Sequence, residues 1–176
     1  HGAQLAGAAN LVLEDVEGLQ AAGALNLNAG NLEGVQLSGG ANVTGGNGGN
    51  QLSGGLNVTG GGFEGLQLTG GANIAGGEST GFQGSGGLNI VGDRFEGLQW
   101  TGGVNIAGDA VTGAQLGVDH IAGGRVDGLQ LGVVNIAADS TASIGLISIL
   151  PEGFFDIETF GASDGTIMTG VRHGGD

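Results

Sequence analysis

A glutamine returns every fifteen or sixteen residues, at Gln4, Gln20, Gln36, Gln51, Gln67, Gln83, Gln99, Gln115 and Gln130. An asparagine answers it at Asn10, Asn26, Asn42, Asn57, Asn73, Asn89, Asn105 and Asn135, with His120 in the remaining slot. Nothing else constrains the fold as tightly. A unit this short cannot bury an apolar surface by itself, so it must be one coil of a stack in which each neighbour covers the next. Nine units are legible before the register dissolves near residue 143.

The irregularities locate the turns. Gln and Asn are six residues apart in the first seven units and five apart in the last two, and the return to the next Gln takes ten residues except between Asn42 and Gln51, where it takes nine. A lost residue is tolerated in a turn and inverts the side-to-side parity of a strand, so each unit turns at least twice. In "GLQLTGGANIAGGEST", residues 65–80, the strands are 66–69 and 72–75, with Gly70-Gly71 between them. A third apolar position, at Leu32, Phe63, Phe95, Val111 and Val126, lies four residues ahead of each Gln and marks a further corner. Glycine supplies 44 of the 176 residues, and because it recurs in register it reads as corner chemistry rather than as disorder.

The expected fold is all-β: a β-solenoid of about nine coils over residues 1–142, about 40 Å long at ~4.8 Å per coil, with a capping segment over 143–176. Alternation puts Leu66 and Leu68 on one side of their strand and Gln67 and Thr69 on the other. Hydropathy assigns Leu, Ile, Val and Ala to the interior and the Gln and Asn ladders to the outside. The alternative is an up-and-down transmembrane β-barrel of ten strands, with "LQLTGGANIA" as one strand. Against it stand the five-residue spacings, which would flip half a strand, and a single Trp with no Tyr where aromatic girdles belong.

The units "GLQLGVVNIA" (128–137) and "GLQWTGGVNIA" (97–107) resemble bacterial surface-repeat proteins with tandem GLQLGxVNIA-like motifs, over about residues 1–150. The likeness is strongest at 113–150, and most other units depart from it by an extra Gly-Gly at the mid-unit corner. The resemblance implies an envelope or cell-surface location and brings no catalytic residues with it.

Charge narrows the partners. Seventeen acids against three Arg give a net charge of −14, which argues against nucleic acid and against anionic membrane surfaces. Without cysteine there are no disulfides or thiolate sites, and no stretch approaches the ~20 apolar residues of a membrane helix. The chain opens on His1 rather than Met, which fits a removed signal peptide or a piece of something longer. Glu17, Glu33, Glu64, Glu96 and Asp127 share one slot and read as a solvated acidic edge, with calcium binding as the alternative. The three histidines have no ligand spacing, and Ser163, Asp164 and His173 lack the glycine elbow of a nucleophile. The chain is expected to be no enzyme and to need no cofactor. "NVT" at 42–44 and 57–59 matches a glycosylation acceptor, but it recurs because the repeat does.

The sequence therefore points to a non-enzymatic structural or interaction module, extracellular or on the envelope, acting as a rigid spacer or docking surface. Its candidate interaction face is the uncharged ladder Gln36, Ser38, Gln51, Ser53, Gln67, Thr69, Gln83, Ser85, Gln99 and Thr101, which alternatively binds ice or carbohydrate. A protein partner or self-association is expected through that face or a solenoid end, with membrane insertion not expected. Pro151, Met168, Phe154, Phe155 and Phe160 suit residues 143–176 to covering the last coil, whereas the opening residues show no comparable cover.

Overall fold

The computed structural model describes residues 2–152 and the backbone of 154–161 and 167–174. Ten coils stack along one axis, one more than the Gln register counts. Each gives a longer strand to one sheet, from Gly2–Ala6 to Ser140–Ile144, and a shorter strand to a second, from Ala9–Val12 to Ile147–Ile149. All neighbours in both sheets pair in parallel, and like residues stack on like, Gln67 on Gln83 and Asn73 on Asn89. An up-and-down barrel requires antiparallel neighbours, so the solenoid is the architecture.

Coiling continues through residue 149, with Ser143 on Gln130 and Ser148 on Asn135. The expected boundary at 142/143 thus falls inside the tenth coil. Beyond it, Phe154–Gly161 and Ile167–Gly174 form an antiparallel hairpin whose second strand lies against both strands of that coil. Whether Phe154, Phe155, Phe160 and Met168 cover the coil lies outside the described side chains, as do Ser163, Asp164 and His173.

Glycine is needed at two kinds of place. Within the longer strand, Gly81 bends the chain at a φ of 124°, and a Cβ there would sit 2.0 Å from the Gly65 carbonyl oxygen of the coil before. Between the strands, a Cβ on Gly71 would sit 2.3 Å from the Gly55 oxygen. The shortened fourth coil has Gly49 at the bend position but without the positive φ, and its longer strand contracts to Asn50–Ser53. Asn50 compensates, its Oδ1 accepting the Leu66 backbone N–H at 3.0 Å.

The parity of the coil is the reverse of the hydropathy expectation. Every Gln from Gln20 to Gln130 is 0% exposed, as are the Asn of the second ladder from Asn26 to Asn135 and His120, whereas Leu68 is 39% exposed. The reason lies in the hydrogen bonds of the stack. Gln67 Nε2 donates to Gln51 Oε1 (2.9 Å), and Gln83 Nε2 donates in turn to Gln67 Oε1 (2.8 Å). The Asn ladder runs the opposite way, Asn73 Nδ2 donating forward to Asn89 Oδ1 (3.0 Å). That same amide also donates to the main-chain oxygens of Gln67 (3.2 Å) and Gly84 (2.7 Å). It ties the two strands together across the interior and satisfies carbonyls that an inward Leu would leave unpaired. A polar group with its partners made is tolerated inside, and low dielectric strengthens the chain of bonds.

The apolar core is a smaller cluster at one end of the cross-section. Phe63, Phe95, Val111 and Val126, from the position four residues ahead of Gln, pack with Ala75, Val91, Ala107, Ala122, Ala137 and Leu150, most of them two residues after the ladder Asn. Phe63 and Phe95 lean together over the intervening Ser79 with ring centroids 6.4 Å apart. The third apolar position is thus a core column beside the bend glycine.

Candidate functional site

With the amides inside, the residues on either side of them cover the outside. Gln+1 carries the exposed large apolar side chains of the longer-strand sheet, Leu5, Leu37, Leu68, Trp100, Leu131 and Ile144, with Ala21, Leu52 and Leu116 half-buried and Gly84 buried between them. Trp100 is 56% exposed there. On the shorter-strand sheet the residue after Asn forms a half-exposed β-branched column, Val43, Val58, Ile74, Ile90 and Ile106. A shallow groove of about 840 Å³ runs along the first five coils, lined by Leu5, Leu37, Leu52 and Leu68 on one side and by Ala22, Ser38, Ser53 and Thr69. It ends where the Phe82 ring lies beside Gly84: a Cβ there would meet Phe82 Cε1 at 2.6 Å.

The two edges of the coil differ. Among the described residues, every ionisable side chain except Asp119 and His120 lies at the edge where the shorter strand returns to the longer one, or just before the bend glycine. Glu17 stacks on Glu33, while Glu64, Glu96 and Asp127 alternate with Thr80 and Thr112, so the expected acidic column exists and is exposed. Arg125 joins it, its Nε 2.8 Å from Asp127 and its Nη1 3.7 Å from Asp139. Among the described residues no three or more His, Asp or Glu come together in a way that could hold a metal ion. The opposite edge is uncharged, built from Gly-Gly pairs and then from Gly117-Val118, Gly132-Val133 and Gly145-Leu146.

The Gln-x-Ser/Thr face is not on the surface. Gln36, Gln51, Gln67, Gln83 and Gln99 are interior, Thr69, Ser85 and Thr101 are buried, and Ser38 and Ser53 are half-buried. Four of the hydroxyls pair with one another, Ser53 Oγ donating to Thr69 Oγ1 (3.1 Å) and Ser85 sharing a bond with Thr101 (3.0 Å), while Ser38 Oγ has no hydrogen-bond partner. An ice or carbohydrate surface built from these groups would have to turn the coil inside out. Asn42 and Asn57 of the two "NVT" motifs are likewise interior, so neither is a glycan acceptor in the folded chain.

His120 keeps its place in the Asn ladder and interrupts it. Its Nδ1 accepts from Asn105 Nδ2 (3.2 Å) and its Nε2 donates to the Leu131 carbonyl (2.8 Å), which assigns the neutral tautomer. Burial pushes its pKa below the ordinary value, against the raising influence of the Leu131 hydrogen bond and the Asp119 carboxylate. No donor remains for the next rung, and Asn135 Oδ1 is buried without a hydrogen-bond partner. Gln130 Oε1 is orphaned too, because the tenth coil has Ser143 and Ser148, bonded to each other at 2.7 Å, where the ladders would continue.

No family model, curated protein or solved structure matches the chain. The outward apolar columns were hidden from hydropathy, yet the sequence carried a signal for them. Gln is invariant over nine units, while the next residue is Leu, Ala, Gly or Trp. The columns that never vary are those held on every side.

Proposed function

We propose that this chain is a non-enzymatic scaffold, a rigid bar about 43 Å long, from nine spacings of ~4.8 Å, whose function is to dock through its two flat apolar faces. The observation that carries this reading is the inversion of the coil: amides fill the interior while Leu, Ile, Val and Trp100 form regular columns outside. Contiguous apolar patches beyond a few hundred Å² mark interaction surfaces in folded proteins. Rigidity supports the spacer role, since every interior Gln and Asn from the second coil to the eighth is bonded to its neighbours along the axis. An envelope or extracellular location belongs to the same proposal and rests on the motif resemblance.

The test is the introduction of charge on the shorter-strand face. Ile74→Lys, Ile90→Lys and Ile106→Lys together should keep the circular-dichroism spectrum and lower melting only modestly, because these side chains point outward and the new charges repel between adjacent coils. They should lower binding of a hydrophobic dye and adsorption to a hydrophobic surface. Native protein that binds no dye, adsorbs to nothing apolar and stays monodisperse at high concentration would remove the docking role.

A further inference from the structure

Resting on the docking reading, we infer that the occupant of the apolar faces is the hydrocarbon of one lipid leaflet, entered by the uncharged edge while the acidic edge stays in water. Three observations favour lipid over a protein partner. First, apolarity wraps three sides of the cross-section: the longer-strand face, the uncharged edge and the shorter-strand face. A second copy laid face to face covers only one of these. The shorter-strand face offers roughly 600 Å² of flat area, from a four-residue strand and nine coil spacings, at the lower end of the ~600–1,000 Å² per partner of standard interfaces.

Second, the charge is sorted as an interfacial body requires. Within residues 2–152, all acids and Arg except Asp119 lie at the opposite edge, including Arg94 and Arg125. From the bend glycine to the uncharged corner the longer strand runs about five residues, or ~16 Å. That matches half of the ~30 Å hydrocarbon core of a bilayer.

Third, in most coils one N–H of the uncharged corner is satisfied from coil to coil, whereas the N–H groups of Gly54, Gly70, Gly86 and Gly145 make no such bond. Gly55 N–H donates to the Gly40 oxygen (2.9 Å), Gly87 to Gly71 (3.0 Å), Val118 to Gly103 (2.9 Å) and Leu146 to Val133 (3.0 Å). Each bond so made removes the cost of placing that peptide group in hydrocarbon. The last three coils add Val118, Val133 and Leu146 at the tip, Leu146 being 85% exposed. The net charge of −14 selects neutral rather than anionic lipid. Asp119, half-buried at the start of its short strand, is the one charge on the apolar surface and opposes insertion locally.

The experiment uses the whole chain with neutral phosphatidylcholine vesicles, and Trp100, the single Trp, reports on the face. Flotation with the vesicles is expected, with a blue shift of Trp100 emission and quenching by lipids brominated in the acyl chain. Val118→Glu, Val133→Glu and Leu146→Glu together should lower the partition coefficient by about a hundredfold or more, each exchanging apolar burial for a charge. Melting should fall only modestly, through repulsion between Glu on adjacent coils, since all three side chains are exposed. Leu13→Glu, exposed at the acidic edge, should change partition by no more than about twofold, its side chain staying in water throughout. Asp119→Asn should strengthen it. Equal losses from Leu13→Glu and the triple variant would overturn the orientation. A Trp100 blue shift that grows with protein concentration and needs no vesicles would overturn lipid in favour of self-association, leaving the docking reading intact.

Discussion

Asn73→Leu, which keeps the number and branching of the side-chain heavy atoms, exposes the inverted interior to measurement. Asn73 donates to Gln67 O (3.2 Å), Gly84 O (2.7 Å) and Asn89 Oδ1 (3.0 Å), and its own Oδ1 accepts from Asn57 Nδ2 (2.9 Å). Four hydrogen bonds at about 1 kcal/mol net each, with buried groups left unpaired on both neighbouring coils, amount to about 4–7 kcal/mol. Burying the Leu side chain returns roughly 1–2 kcal/mol, so the net loss is about 3–5 kcal/mol. At an m-value near ~2 kcal/mol/M the urea midpoint should fall by about 2 M with m unchanged. The neighbouring exchange Ile74→Asn, outward and half-exposed, should cost about 1 kcal/mol or less. Urea titration followed by circular dichroism reads both. If Asn73→Leu were neutral or stabilising while Ile74→Asn unfolded the chain, the amides would be outside and the account of the interior would be wrong.

Two further outcomes follow from the same coil. Gly81→Ala should destabilise by about 3 kcal/mol or more, because the new Cβ combines a positive φ with a main-chain collision, whereas Gly7→Ala, with open space around it, should stay within about 0.5 kcal/mol; equal melting temperatures would contradict the bend. The lowered pKa of His120 means that the unfolded chain takes up the proton first, so its contribution is fully present above the ordinary value near 6.5 and is lost as pH falls through the window below it. His120→Asn should remove that acid sensitivity and give Asn135 Oδ1 a donor, adding about 1 kcal/mol at neutral pH. Denaturant midpoints on either side of that window, with the same pH slope in the variant as in the parent, would exclude His120 as its source.

How much of this was legible beforehand depends on what kind of information each feature needs. The period, the parallel stacking of Gln on Gln, the corners at Gly70-Gly71 and the acidic column at Glu17 and Glu33 all follow from spacing, because residues one period apart must meet in a stack. The tenth coil escaped because Ser143 and Ser148 occupy the ladder positions without being amides. The face that docks escaped for a different reason. Alternation separates Gln67 and Thr69 from Leu66 and Leu68, but it is symmetric and does not say which pair faces in. Hydropathy decides that only where a buried polar group lacks partners. Here the partners of each amide are amides of neighbouring coils and main-chain carbonyls such as that of Gly84, eleven residues away in sequence. The sequence by itself determined the coil; the stack determined its inside, because only neighbouring coils complete the hydrogen bonds that make a buried amide stable.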